Sequence, residues 1–214
     1  ASDLNPIAAL LTWAALNIAG ASDKEIEELR KFQEKIYAEV RKQVDEWKIE
    51  QNEESDRADS YLYCHESRCP ECGYRVPLSP SWFIGKGTKT VALINDNRID
   101  GFDIEIVQGA TNAQIKEAES NSTVIDNKMH CLHCGNDTPI TFLRGDRRDR
   151  DGNTVNGLRK WERHEFLPRE EDTFQERLYC IRYVHEYWDE EGNLKALRYY
   201  TKPTVYDLER EQRV

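Results

Sequence analysis

The sequence predicts an α+β chain: N-terminal helices followed by a zinc ribbon that carries a long β-rich insertion. Three observations predict it. Residues 6–51 hold an apolar segment and then a stripe of Ile26, Leu29, Phe32, Ile36, Val40, Val44 and Trp47 at steps of three and four, the period of a helix. From Tyr61 the pattern changes to short extended runs rich in β-branched and aromatic residues. Set among those runs are two knuckles, Cys69-Pro-Glu-Cys72-Gly and Cys131-Leu-His-Cys134-Gly. The chain therefore divides into a helical segment, residues 1–60, and a zinc-ribbon β-rich domain, residues 61–214.

The first helix opens at Asn5-Pro6. Asn is a good N-cap, and Pro suits the first helical position because its missing N–H would have been unpaired anyway. Residues 7–19 are apolar nearly all round, so this helix needs cover on several sides. With no initiator Met ahead of it, the segment reads as cut from something larger; burial in the chain's own core is the alternative. Gly20 marks its end. Ser22-Asp-Lys-Glu25 then forms a capping box that starts one long amphipathic helix running to about residue 51. Acids outnumber bases along it, so its outer face is negative. Residues 51–60 are polar and acidic and read as a linker.

Strands are expected at Trp82-Phe-Ile, Thr90-Val-Ala-Leu-Ile, Phe102-Asp-Ile-Glu-Ile-Val, Thr138-Pro-Ile-Thr-Phe-Leu, Leu178-Tyr-Cys-Ile-Arg-Tyr-Val and Leu194-Lys-Ala-Leu-Arg-Tyr-Tyr. Glu190-Glu-Gly-Asn193 suits a hairpin turn between the last two. Residues 145–153 can bury nothing and read as a mobile loop. A last helix is expected to begin near Asp207.

Composition narrows the partners. The 214 residues carry a net charge of −10, so phosphate contact has to come from a local basic patch. Hydrophobic residues are 38%, charged residues 33% and mean hydropathy −0.81, which implies a modest core with long solvated segments. The longest apolar stretch, Pro6 to Ala19, is about fourteen residues, too short to span a bilayer. It also lacks a basic flank, so neither a membrane helix nor a signal peptide is expected, and the location is cytoplasmic.

The cysteines carry the strongest signal. Two intervening residues let both thiolates of one turn point at a single ion, and the following glycine permits the tight backbone around the sulfurs. Two such knuckles give Cys69, Cys72, Cys131 and Cys134, the four sulfur ligands that Zn²⁺ takes in closed structural sites. Disulfides fit badly without signs of secretion. A thioredoxin-like pair needs a βαβ unit, which is missing. Iron in a rubredoxin-like site uses the same sulfur geometry and stays open. Residues 73–130 must form a β-rich lobe closed at its base by the metal. Cys64, His65 and His133 lie close enough to substitute as ligands, but a full sulfur set needs none of them. Cys180 sits in an apolar strand pattern and reads as a core residue.

The order of features resembles the adenine-specific DNA methylases that contain a zinc ribbon. The residues that carry the likeness are Ser2-Asp-Leu-Asn-Pro6, Tyr61-Leu-Tyr63, Cys69-Pro-Glu-Cys72-Gly-Tyr-Arg-Val-Pro77-Leu78 and Cys131-Leu-His-Cys134-Gly. Leu158-Arg-Lys-Trp-Glu162, Phe174-Gln-Glu-Arg-Leu-Tyr-Cys-Ile-Arg-Tyr183 and Lys202-Pro-Thr-Val-Tyr-Asp207 extend it. The likeness spans essentially the whole chain, and the combination is specific although no single motif is. It implies a parent enzyme that transfers a methyl group from S-adenosylmethionine to the N6 amine of adenine in DNA. Asp3 would then accept hydrogen bonds from the ribose hydroxyls of that cofactor; plain helix capping is the alternative for it. The family's glycine-rich cofactor loop is absent, and Gly85-Lys-Gly87 lies inside the ribbon insertion. No proline is followed by another, so the catalytic Asp/Asn-Pro-Pro-Tyr motif is absent too. By this likeness the chain is the insert region of the enzyme, with no catalytic residue of its own.

Two functions from different classes remain. Arg144, Arg147, Arg148, Arg150, Arg159, Lys160 and Arg163, with Trp161 and Phe166 among them, would contact DNA phosphates while an aromatic ring stacks on a base. Acids are almost as numerous in residues 141–170, as in any solvated charged loop. Alternatively, the helices dock other subunits of a DNA-modification or phage-defence complex. A free-standing enzyme fits least, because no Ser-His-Asp set, phosphate loop or HExxH motif is present.

Overall fold

The computed structural model describes residues 6–98 and 101–211. The chain forms two compact units, Ala1–Glu50 and Gln51–Val214. In the first unit α1 spans Pro6–Asn17 and α2 spans Asp23–Trp47. The capping box forms as expected. The Ser22 amide donates to Glu25 Oε2 at 2.8 Å, and the Glu25 amide donates to Ser22 Oγ at 3.4 Å. Acids at Asp23 and Glu25 suit the positive end of the helix dipole. Both helices end earlier than expected. Lys48 turns into the left-handed region, at φ 53°, and its amide returns to the Val44 and Asp45 carbonyls. The apolar side chains of this unit stay in solvent: Ile7, Leu10, Leu11, Trp13 and Leu16 on α1, and Phe32, Ile36 and Val40 on α2. No helix of the described residues is long and apolar enough to cross a membrane.

The segment expected to link the two parts is instead built into the second unit. The strand β1 spans Arg57–Arg68, and the unit boundary falls at Glu50/Gln51 rather than after residue 60. Long-range pairing explains the shift. The acids of this stretch meet bases far along the chain, Asp59 with Arg182 at 2.6 Å and Asp56 with His185 at 2.7 Å, and the Asn52 side-chain amide donates to the Tyr199 hydroxyl at 2.9 Å.

Following β1, the second unit runs β2 (Arg75–Leu78), β3 (Phe83–Gly85), β4 (Thr90–Arg98), β5 (Gly101–Val107), α3 (Asn112–Ser120), β6 (Val124–Ile125), β7 (Lys128–His130), β8 (Asp137–Pro139), α4 (Ile140–Leu143), β9 (Arg147–Arg148), β10 (Thr154–Val155), β11 (Gln175–Trp188), β12 (Leu194–Thr201) and α5 (Val205–Glu211). All strand pairs are antiparallel. The main sheet has the order β12-β11-β1-β2; the three-stranded sheet β3-β4-β5 lies within the insertion, and a second, β6-β7-β8, runs from its end through the second knuckle. The β11–β12 turn sits where the sequence places it, with the Asp189 carboxylate accepting the amides of Glu191 and Asn193.

Two expectations change, and one helix, α3, stands where none was expected. Thr138–Leu143 is a short strand followed by one helical turn. The helix α3 starts at a second capping box, Thr111 with Gln114. Residues 145–153 lead through the small β9–β10 hairpin, whose turn Asp149 closes through the Asp151 and Asn153 amides.

The main core lies within the insertion and reaches the knuckles at its base. Trp82, Phe102, Val91, Val76, Ile104 and Met129 are buried there with Cys69 and Cys131. The Trp82 indole N–H is satisfied by the Asn121 carbonyl at 3.0 Å, as a buried donor requires. A second cluster, Ala58, Leu178, Ile181 and Tyr183, forms on the main sheet.

Candidate metal centre

Each knuckle closes an antiparallel hairpin at the same position. β1 and β2 pair Arg68 with Arg75 around the first, and β7 and β8 pair His130 with Asp137 around the second. The backbone repeats bond for bond. The Cys69 amide donates to the Tyr74 carbonyl and the Gly73 amide to the Cys69 carbonyl, both at 2.8 Å. The Cys131 amide donates to the Asn136 carbonyl at 3.0 Å and the Gly135 amide to the Cys131 carbonyl at 2.8 Å. Gly73 and Gly135 sit at φ 75° and 72°, in the left-handed region. A Cβ at either position would meet nothing within 4 Å, so conformation rather than space selects glycine there.

These turns bring four sulfurs together. The Sγ atoms of Cys69, Cys72, Cys131 and Cys134 all lie within 4.8 Å of one another. The pairs Cys69–Cys134 and Cys72–Cys131, each crossing between knuckles, are both 3.7 Å apart. A tetrahedral ion with metal–sulfur bonds of about 2.3 Å needs sulfur–sulfur edges of about 3.8 Å. The donor set therefore fits a four-coordinate metal ion. One cysteine of each knuckle, Cys69 and Cys131, is buried in the core, while Cys72 and Cys134 face solvent.

The thiols are not equivalent. The Asn136 amide pointing at Cys134 Sγ brings that thiol down to about 7. Burial pushes Cys131 up to about 12. A bound cation favours the thiolate at all four, so loading the site releases protons. A ring stack also joins the knuckles: Tyr74 lies flat on His133, at 5.0 Å between centroids and 4° between planes. His133 is thus a packing partner of the site and lies outside the four-sulfur group.

The remaining cysteines are core residues. Burial pushes both Cys64 and Cys180 up to about 12, which keeps them as thiols. His65 lies 3.8 Å from Glu176. Asp3 falls outside the described residues.

The basic residues divide by what holds them. Arg144 pairs with Asp146 at 2.5 Å. Arg159 is clamped by Asp172 at 2.7 and 2.8 Å and by Glu165 at 2.5 Å, and Arg169 meets the same Glu165 at 2.6 Å. Arg148 spends one N–H on the Gly152 carbonyl. Arg147, Arg150, Lys160 and Arg163 are exposed and form no ion pair with the described residues. The β9–β10 hairpin collects Arg147, Arg148 and Arg150, and Lys160 follows beside the half-exposed Trp161. The expected patch is therefore smaller than its count of bases suggests.

Comparison with family models, curated proteins and solved structures found no match.

Proposed function

We propose that this chain is the zinc-ribbon insert region of an S-adenosylmethionine-dependent DNA adenine-N6 methyltransferase, where it holds DNA or orients the target adenine. The observation that carries this reading is the closed sulfur tetrad at the base of a β-rich lobe. Four thiolates fill the tetrahedron of Zn²⁺, so the ion builds a fold rather than activating a substrate. The order of motifs from Ser2 to Asp207 supplies the family, and with it the cofactor of the parent enzyme. Within the chain itself Arg147, Arg148, Arg150 and Lys160 meet phosphates, and Trp161 stacks on an unpaired base.

The test is fluorescence anisotropy with duplex and single-stranded DNA across a salt series. The chain binds weakly at low salt and loses affinity steeply as salt rises. Arg147→Ala with Arg150→Ala and Lys160→Ala flattens the log–log salt slope by about one for each phosphate contact removed. Binding that ignores salt, or none at low ionic strength, contradicts the reading.

A second reading rests on a separate observation. The apolar side chains of α1 and α2 stand in solvent, a larger display than single scattered residues. On this reading the helices dock another subunit of a DNA-modification or phage-defence complex. A pull-down through residues 22–59 with no DNA affinity supports it.

A further inference from the structure

A cleft of about 400 Å³ opens on the second unit between β1, β11, the Leu167–Pro168 turn and α5, within the size range of ligand pockets. Tyr63, Pro168, Leu178 and Leu208 make it largely apolar, and five charged side chains, three acids and two bases, decide its polarity. Its two cations are already engaged. Arg177 pairs with the buried carboxylate of Glu66 and lies 4.4 Å over the Phe102 ring, while Lys202 meets Asp103 at 2.5 Å. Its other two carboxylates, Glu176 and Glu211, have no lysine or arginine partner among the described residues. Glu211 accepts the Tyr63 hydroxyl at 2.5 Å and has no cationic partner among the described residues. Glu176 has only His65, at 3.8 Å.

We infer that this cleft takes a lysine- or arginine-bearing segment of a partner protein, with the aliphatic stem laid on Tyr63, Leu178 and Leu208 and the cationic head against Glu176 and Glu211. Long basic side chains bury their stems on apolar surface and keep the charge at its edge, and a tyrosine face adds attraction for a cation. A nucleic-acid backbone would bring its phosphates to the same two carboxylates in a chain of net charge −10, so charge favours a basic occupant. The inference deepens the protein-docking reading but uses none of the helices on which that reading rests.

The experiment is NMR titration of the zinc-loaded full chain with a short acetylated, amidated peptide alternating leucine and arginine, at about 0.15 M salt. The amides of Tyr63, Glu176, Leu178 and Leu208 shift. Glu176→Gln with Glu211→Gln, which keeps side-chain shape, weakens binding by at least about tenfold. Glu34→Gln with Glu39→Gln, on α2, leaves it unchanged. Glu176→Lys with Glu211→Lys abolishes it and transfers the preference to a second capped peptide in which glutamate replaces each arginine. No binding, shifts confined to other residues, or equal loss in the α2 variant overturns the inference. So does single-stranded or duplex DNA that competes for these residues, since that makes the cleft a nucleic-acid site. If residues 22–59 recover no partner while the peptide still seats here, the helix-docking reading falls and this inference stands.

Discussion

Single residues set the metal centre. Gly73 and Gly135 hold a backbone that other residues reach only at a cost, and neither site is crowded. Gly73→Ala therefore lowers the unfolding free energy of the zinc-loaded chain by about 1–2 kcal/mol, the left-handed penalty, without changing zinc stoichiometry. Urea unfolding measures it, and a loss of bound metal would mean the glycine does more than bend the chain. The acids around Arg159 make a second residue-level case. The Arg159 guanidinium bonded to Asp172, and the Glu162 amide and Arg159 at Glu165, hold both carboxylates down to about 2. Unfolded values lie near 4, so the stabilisation from this cluster is complete above about pH 4 and is lost as pH falls through about 2. Carboxyl ¹³C titration shows those low midpoints, and Arg159→Ala moves both upward.

At the scale of elements, α5 is fixed by a buried polar knot. The Tyr183 hydroxyl donates to Asp207 at 2.5 Å, Arg210 meets the same carboxylate at 2.9 Å, and the other side of its guanidinium reaches the Gln51 carbonyl. Both charged side chains are almost wholly buried. Arg210→Ala leaves Asp207 uncompensated and costs about 3–5 kcal/mol, read as a fall in the unfolding midpoint. Replacing Asp207 and Arg210 together by apolar residues of similar size recovers much of that loss, while an unchanged midpoint in Arg210→Ala contradicts the knot's role.

The same elements show what the sequence could reveal. Ser22 with Glu25, and the spacing of Cys69, Cys72, Cys131 and Cys134, were legible because their geometry is local. Thr111 with Gln114 was equally local, but its helix carries only Ala118 as a buried residue and so shows no strong apolar stripe. The acidic stretch before Tyr61 read as a linker because its partners, Arg182, His185 and Tyr199, lie more than a hundred residues away. Thr138–Leu143 read as a strand because its β-branched residues masked the turn that Pro139 starts. The bases of residues 144–163 could be counted, but not which of them Asp146, Glu165 and Asp172 had already taken.

At the scale of the whole molecule, the second unit is a main sheet and an inserted lobe, tied where two hairpin ends share one set of sulfurs. Removing an ion held there would free the β1–β2 and β7–β8 ends while the β11–β12 hairpin keeps its own ladder. Hydrogen exchange after chelation therefore rises first at Tyr74–Val76 and Met129–Cys131, and a uniform rise would mean the ion supports the entire fold. The most direct test of the metal centre is zinc-edge X-ray absorption on the purified full chain. A closed sulfur site gives a single ligand shell of four sulfurs at about 2.3 Å. A shell containing nitrogen or oxygen, or a chain that takes up no zinc, would contradict it.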